Sequence, residues 1–269
     1  MRKDVKSDQR RKDGRRLLEV ETISRPRRRW VYVEAFDDGP GGWWAWKPGQ
    51  ALAPEIHDGI LHTRSPWWVD PNHAPPGAGY LHLLAFLLTS SPPGGATGAL
   101  RGPSGDGYRP VFDMPNRFVE GGYSRDLTNA RVTIRVRGDV ALRGAELVLL
   151  AQADLPGTRA NYVLTGQPFR VTSRWSDQTA MLAPDPAQWV CLGARRDLTH
   201  VYGCGEIGEV LRDVNVDIIL VLFPLQIVPI GQVDDLHGRR THRDYDVDYR
   251  HLPDGEIQID TILIEYPDE

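Results

Sequence analysis

Residues 131–137 have the sequence RVTIRVR, in which apolar and polar side chains alternate strictly. Successive side chains of a β-strand point to opposite faces, so Val132, Ile134 and Val136 would share one face. The arginines and Thr133 would occupy the other face. The segment therefore predicts a strand with one side in a core and a polar opposite side.

Further short apolar or alternating runs, separated by turn-forming residues, predict more strands. They fall at 30–34, 80–88, 146–151, 161–164, 169–172, 179–182, 189–193, 216–225 and 255–266. The run at 80–88 is also short enough for a helix, and residues 207–213 fit a short helical turn. Glycine and proline number 27 and 21, which favours many turns over long helices. We therefore expect an all-β fold, a two-sheet antiparallel jelly-roll β-sandwich with long loops.

Composition along the chain predicts its domain organisation. Residues 1–29 are dense in arginine and lysine, and we interpret them as a flexible basic leader. Residues 30–269 then form a single β-sandwich domain. Within it, residues 36–79 are rich in turns and tryptophan, and residues 90–116 in proline and glycine. Long loops in compact domains are commonly functional.

Charge and apolar patterning restrict partners and location. A net charge of −4 disfavours nucleic-acid binding. Prolines interrupt the longest apolar stretch, 218–230, so we expect no membrane span. No secretory-type apolar segment follows the leader, and we expect a cytoplasmic location. Cys191 and Cys204 are too few for a disulfide framework; whether they pair stays open, as does homo-oligomerisation.

Three stretches of the chain resemble jelly-roll carbohydrate-binding modules and related galactose-binding-like domains. Residues 34–44 (EAFDDGPGGWW) are similar to the opening of such modules, 126–133 (DLTNARVT) to their first long strand, and 252–262 (LPDGEIQIDTI) to their closing strand. The resemblance implies a saccharide or glycoconjugate as partner. It also implies a structural calcium ion between the first and last strands, with Asp37 and Asp260 as ligands. No further cofactor is expected.

Tryptophans are concentrated in the first long loop. Flat indole faces stack on the apolar faces of sugar rings, so tryptophans on loops suit a saccharide platform. They also serve as core anchors, and the sequence leaves both roles open. The candidate ligand-binding tryptophans are Trp43, Trp44, Trp46, Trp67, Trp68 and Trp175.

Residues 70–82 combine carboxylate, amide, imidazole and phenol groups in a proline-stiffened loop that leads into a strand. Asn72 is a candidate ligand-binding residue, and Tyr80 and His82 should share one face of the strand. In an enzyme, His82 or His73 would be the base and Tyr80 the acid. The alternative is a loop whose polar groups only hold its own turns.

Arg135 and Arg137 project from the 131–137 strand on the side opposite its apolar face. On a concave sheet they would bind a carboxylate, a sulfate or sugar hydroxyls, and Gln152 would extend that surface. On a convex sheet they would form a solvated face.

The function expected from these features is saccharide recognition on the concave face. One alternative is a lyase or hydrolase on the same scaffold, with His82, Tyr80 and Arg135 as catalytic residues. A glycoside hydrolase normally uses two carboxylates across a cleft, and the sequence identifies no such pair. Another alternative is a non-catalytic assembly protein.

Overall fold

The computed structural model describes residues 31–47, 50–52, 54–73, 78–87, 116–194, 201–233 and 245–267. The predicted leader lies outside the described residues, so the division into leader and domain stays a prediction. Most of the predicted loop at 90–116 also lies outside them. No helix in the described ranges is long and apolar enough to cross a membrane.

Six of the described strands form one antiparallel sheet, hereafter the six-stranded sheet. They are β1 (Val31–Glu34), β4 (Glu55–His57), β5 (Ile60–Arg64), β8 (Arg131–Ala141), β11 (Ser176–Met181) and β15 (Asp254–Glu265). Their order is β11-β8-β15-β5-β4, and β1 also pairs with β15. The long closing strand β15 therefore lies at the centre of this sheet.

The nine-stranded sheet contains the other strands that the structure describes. They are β2 (Trp43–Lys47), β3 (Gln50–Leu52), β6 (Trp68–His73), β7 (Ala78–Leu87), β9 (Glu146–Leu155), β10 (Thr158–Leu164), β12 (Trp189–Cys191), β13 (Tyr202–Gly203) and β14 (Asp217–Phe223). Their order is β12-β10-β9-β14-β7-β2-β3; β13 pairs with β10 and β6 with β7. The short β13–β10 pairing is parallel.

Short helical elements connect some of these strands. They are α1 (Arg117–Glu120), α2 (Ile207–Arg212) and 3₁₀ turns at Pro186–Gln188 and Tyr249–His251. The predicted helical turn at 207–213 is thus confirmed as α2, and the run at 80–88 is the strand β7 rather than a helix.

The prediction of an all-β sandwich with two antiparallel sheets is confirmed. Its jelly-roll connectivity stays a prediction. The strand predicted at 169–172 is wrong, because Phe169 forms only an isolated bridge to Leu147. The Gln178 side chain hydrogen-bonds both the N–H and the C=O of Arg170. The backbone of Arg170 is therefore paired with a side chain and not with a neighbouring strand.

The main core lies between the two sheets and is built by the alternation seen in the sequence. Val132, Ile134 and Val136 of β8 are buried in it, together with apolar residues of the nine-stranded sheet such as Leu147 and Leu149. Burying each such side chain contributes about 1.5–3 kcal/mol. The polar residues of β8 consequently face away from the core.

An ion pair between the partly exposed Arg117 and a buried carboxylate joins β1 to α1. Glu34 is fully buried, and its carboxylate accepts hydrogen bonds from the Arg117 guanidinium, the Tyr32 hydroxyl (3.2 Å) and the Phe36 N–H (3.0 Å). Burial raises the pKa of Glu34, while the Phe36 N–H and Arg117 oppose that rise. Gly41 lies against this carboxylate so closely that a Cβ there would overlap Glu34 Oε2.

Cys191 and Cys204 form a disulfide bond, with a Cα–Cα distance of 6.1 Å. The bond joins the end of β12 to the residue after β13. Both strands pair with β10, so the disulfide ties together two short segments at one edge of the sheet.

Reducing this disulfide is expected to lower the free energy of unfolding by about 3 kcal/mol, since a closed loop of this size restricts the unfolded chain. The cysteines are 13 residues apart in sequence. Urea denaturation with and without reductant measures the effect. The double variant Cys191→Ala/Cys204→Ala is the control, since reductant should not change its stability if it acts only through this disulfide. A loss below about 1 kcal/mol would contradict the stabilising role.

Candidate functional site

The residues predicted to form one site fall on opposite sides of the sandwich. Arg135 lies on the outer face of the six-stranded sheet, where its side chain is 41% exposed. Tyr80 and His82 lie on the outer face of the nine-stranded sheet, in a second buried cluster separate from the main core. His82, Tyr80 and Arg135 therefore do not meet in one pocket.

The adjacent tryptophans of each predicted pair point in opposite directions. Trp43 and Trp67 are 1% and 2% exposed and belong to the main core. Trp43 stacks on Phe86 with ring centroids 4.5 Å apart, and Trp67 Nε1 donates to Thr63 Oγ1 at 2.7 Å. These two tryptophans are thus core anchors, the alternative role considered for them. The side chains of Trp46, Asn72 and His73 lie outside the described residues.

Their neighbours Trp44 and Trp68 join Tyr80 and His82 in an aromatic cluster on the outer face of the nine-stranded sheet. The His82 ring centroid lies 5.2 Å from Trp44, 6.1 Å from Trp68 and 6.4 Å from Tyr80. The prediction that Tyr80 and His82 share a face is confirmed. The Tyr80 hydroxyl donates to Asp70 Oδ2 at 3.4 Å.

Burial determines the protonation state of His82. It lowers the pKa of His82 to about 3, although the nearby Asp70 carboxylate acts in the opposite direction. The imidazole is therefore neutral near pH 7. A group with so low a proton affinity is a weak general base, so the geometry favours a packing role for His82.

A polar row continues the same face of the nine-stranded sheet. Asp217, Gln152 and Asn161 lie side by side on β14, β9 and β10 and are 7%, 7% and 1% exposed. Gln152 Nε2 donates to Asn161 Oδ1 at 2.5 Å. In the described part of the chain, Asp217 Oδ1 and Asn161 Nδ2 have no hydrogen-bond partner. Burial raises the pKa of Asp217 to about 7, and Arg159 opposes this.

Only Gln152 of the polar row was a candidate from the sequence. Asp217 carried a usable signal, since it is a single carboxylate at the start of the apolar run 216–225. Asn161 also had a signal, because only Pro156 and Gly157 separate β9 from β10, a two-residue hairpin connection that indicates antiparallel pairing. Asp217 joins Gln152 only because β14 pairs with β9, a contact between distant segments.

The outer face of the six-stranded sheet holds an accessible set of polar and aromatic side chains, hereafter the Arg137 surface. Its members are Arg135, Arg137, Trp175, Asp177, Gln258 and Asp260. Register places Arg137 directly opposite Gln258, and Gln258 opposite His62 on β5. The predicted candidates Arg135, Arg137 and Trp175 are thus neighbours.

Arg137 is held in place on two sides. The centre of its guanidinium lies 4.5 Å from the Trp175 ring centroid, and Arg137 Nε donates to Gln258 Oε1 at 2.7 Å. Gln258 Nε2 in turn donates to Glu256 Oε1 at 2.7 Å. This hydrogen bond is the main cause that lowers the pKa of Glu256, which is about 2.

Arg135 has a different environment. Its guanidinium contacts Asp177 at 3.2 Å and Asp260 at 3.1 Å, so two carboxylates balance its charge. The predicted calcium ligand Asp260 is therefore engaged by an arginine. No group of three or more acidic, histidine or cysteine side chains in the described ranges could hold a metal ion. The calcium site at Asp37 and Asp260 stays a prediction.

Sequence reasoning missed Asp177 and Gln258. Gln258 had a signal, because the closing strand alternates Glu256, Gln258 and Asp260 with isoleucines, which predicts a polar face. Asp177 becomes part of the surface only because β11 pairs with β8, a contact between segments that the sequence does not reveal.

The chain has few detectable similarities to known proteins. No protein-family model and no curated protein matches the chain. A solved structure from work on endo-acting O-glycanases, with which members of the human gut microbiota initiate mucin breakdown, is similar over 88% of this chain and 99% of that chain. Its identity is 12% and its TM-score 0.33, too low to support an assignment.

Proposed function

We propose that this domain recognises a saccharide through the Arg137 surface. The supporting observation is that Trp175, Arg137 and Gln258 lie together on a face that reaches solvent. Sugars combine apolar ring faces with hydroxyl groups, and sites that bind them combine aromatic rings with a few placed polar groups. Asp177 and Asp260 add acceptors beside Arg135.

The alternatives have less support. An enzyme built on His82, Tyr80 and Arg135 would need residues that lie on opposite faces, and His82 is a weak base. An assembly interface normally presents a contiguous apolar patch. In the ranges described, the large exposed apolar side chains lie on separate elements: Val33, Met181, Val190 and Ile230.

Replacing the partly exposed tryptophan tests the proposal. A glycan array is expected to show binding by the wild type, and Trp175→Ala is expected to weaken affinity for the bound glycan at least about tenfold, because the aromatic contact is lost. Met181→Ala is the matched control, since Met181 is 45% exposed on β11 of the same sheet. Thermal unfolding verifies that each variant is folded.

Two results would overturn saccharide recognition at this surface. One is the absence of binding to every glycan on the array by the wild type. The other is equal affinity of the wild type and folded Trp175→Ala for the bound glycan.

A further inference from the structure

We infer that the saccharide bound at the Arg137 surface carries an anionic group, a carboxylate or a sulfate ester, which the two terminal nitrogens of Arg137 bind. This inference rests on the proposed saccharide recognition and adds the chemical class of the ligand. It follows from how Arg137 is held and from what its neighbours leave unoccupied.

Two neighbours fix the orientation of the Arg137 guanidinium. Trp175 supports its flat face, and Gln258 accepts the hydrogen bond from Nε. Gln258 is itself fixed by Glu256, so the three side chains form a connected set across β8 and β15. A side chain already ordered before binding loses less conformational entropy when a ligand arrives. Arg137 is therefore a pre-organised binding group.

Arg137 differs from Arg64, Arg131 and Arg135 on this sheet in its charge environment. Arg131 faces Glu265 at 3.8 Å, Arg135 contacts Asp177 and Asp260, and Arg64 contacts Glu256 at 3.2 Å. Each of these three arginines therefore lies next to a carboxylate that balances its charge. Arg137 contacts no carboxylate among the described residues, where it contacts Trp175 and Gln258.

Glu256, the carboxylate that Gln258 connects to Arg137, does not neutralise the Arg137 charge. Glu256 contacts Arg64, His62 Nδ1 at 2.5 Å and the amide of Gln258. Its oxygens are used by these three partners. Gln258 therefore links Arg137 to Glu256 through a neutral amide, and the positive charge of Arg137 stays available to a ligand.

The end of the Arg137 guanidinium that the described residues leave without a carboxylate defines the ligand chemistry. The terminal nitrogens of a guanidinium present parallel N–H groups that match two oxygens of a carboxylate or a sulfate. Two neighbouring hydroxyls of a neutral sugar can accept the same two bonds, but only an anionic group also balances the charge of Arg137. An acidic sugar would thus place its ring beside Trp175 and its anionic group on Arg137.

The test uses polysaccharide pairs that differ only in charge. One pair is polygalacturonate and its methyl ester; the other is dextran sulfate and dextran. A glycan array with neutral, uronate-containing and sulfated members accompanies them. We expect the glycans that the wild type binds on the array to be acidic. For any polysaccharide pair that the wild type recognises, we expect the uncharged member to bind at least about tenfold more weakly than the charged one. The two pairs show whether the carboxylate or the sulfate ester is the preferred group.

Variants of Arg137 identify the residue responsible. Arg137→Gln is expected to lose the preference for the charged member, and Arg137→Lys to reduce it, since lysine retains the charge but not the two parallel donors. Arg131→Gln is the matched control, because Arg131 lies on β8 of the same sheet and is 55% exposed. It removes one positive charge and should leave the preference unchanged.

The outcomes separate the inference from the proposed function. If the wild type binds neutral and acidic glycans equally, or neutral ones alone, the inference is overturned while saccharide recognition stands. If Arg131→Gln also loses the preference for acidic glycans, the inference is overturned. The overall positive charge of the sheet, and not Arg137 itself, would then be responsible for the preference. If no glycan binds, both fail.

Discussion

Arg117→Gln is expected to lower the free energy of unfolding by about 3–5 kcal/mol, because it leaves the fully buried Glu34 carboxylate without its cation. The Tyr32 hydroxyl and the Phe36 N–H remain as hydrogen-bond donors, but neither carries a charge. Urea denaturation measures the loss, and an unchanged slope with urea concentration shows that both proteins unfold in the same way.

Two further variants test whether the loss of stability comes from the contact between Arg117 and the buried Glu34 carboxylate. Arg125→Gln removes an arginine whose contact with Asp213 at 2.9 Å is exposed, and it should cost less than about 1 kcal/mol. The double variant Glu34→Gln/Arg117→Gln removes both charges and should recover part of the loss. Equal losses for Arg117→Gln and Arg125→Gln would show that the ion pair contributes no more than a surface contact.

Asp217→Asn is expected to stabilise the protein above neutral pH and to change how its stability depends on pH. Burial raises the pKa of Asp217 to about 7 from its ordinary value of 3.8. Between these values the folded state binds a proton that the unfolded state has released. The contribution of Asp217 to stability therefore falls as pH rises from about 4 to 7, and its full cost is present above 7. The asparagine has no such cost.

The measurement is the difference in unfolding free energy between Asp217→Asn and the wild type at pH 5 and pH 8. This difference should be larger at pH 8 by an amount of order 2–3 kcal/mol, because about two pH units of the shifted titration, from 5 to 7, lie within this interval. His82 has the opposite dependence: burial lowers its pKa to about 3, so its contribution is lost as pH falls below about 6.5. Taking the difference cancels the His82 contribution, which is common to both proteins.

Asp177→Asn is the matched control, since that side chain is 63% exposed in the six-stranded sheet. Its difference from the wild type should be small at both pH values. A difference for Asp217→Asn that is the same at pH 5 and pH 8 would contradict a raised pKa in the folded protein.

Local patterns in the sequence predicted which way side chains point, but not which segments become neighbours. The period of two placed Tyr80 with His82 and separated Val132 from Arg135, as observed. The assignment of Arg135 and His82 to one site failed because β8 and β7 belong to different sheets. Pairing between strands far apart in the chain depends on contacts distant in sequence, and a single sequence contains no local signal for it.

The tryptophans show the same limit at the level of one residue. Alternation predicts that Trp43 and Trp44 point to opposite faces, and so do Trp67 and Trp68. It does not say which member enters the core. That choice follows from the partners supplied by other segments, such as Phe86 for Trp43 and Thr63 for Trp67.

The bond between Cys191 and Cys204 has a consequence for how the protein is prepared. Disulfides persist in oxidising surroundings and are rare where thioredoxin and glutathione keep thiols reduced. The cytoplasmic location expected from the sequence stays a prediction, and in a reducing cytosol the chain would carry two thiols. Material produced in a reducing and in an oxidising host should therefore differ by two titratable thiols and in resistance to urea. The oxidised product is the form in which β12 and β13 are covalently joined.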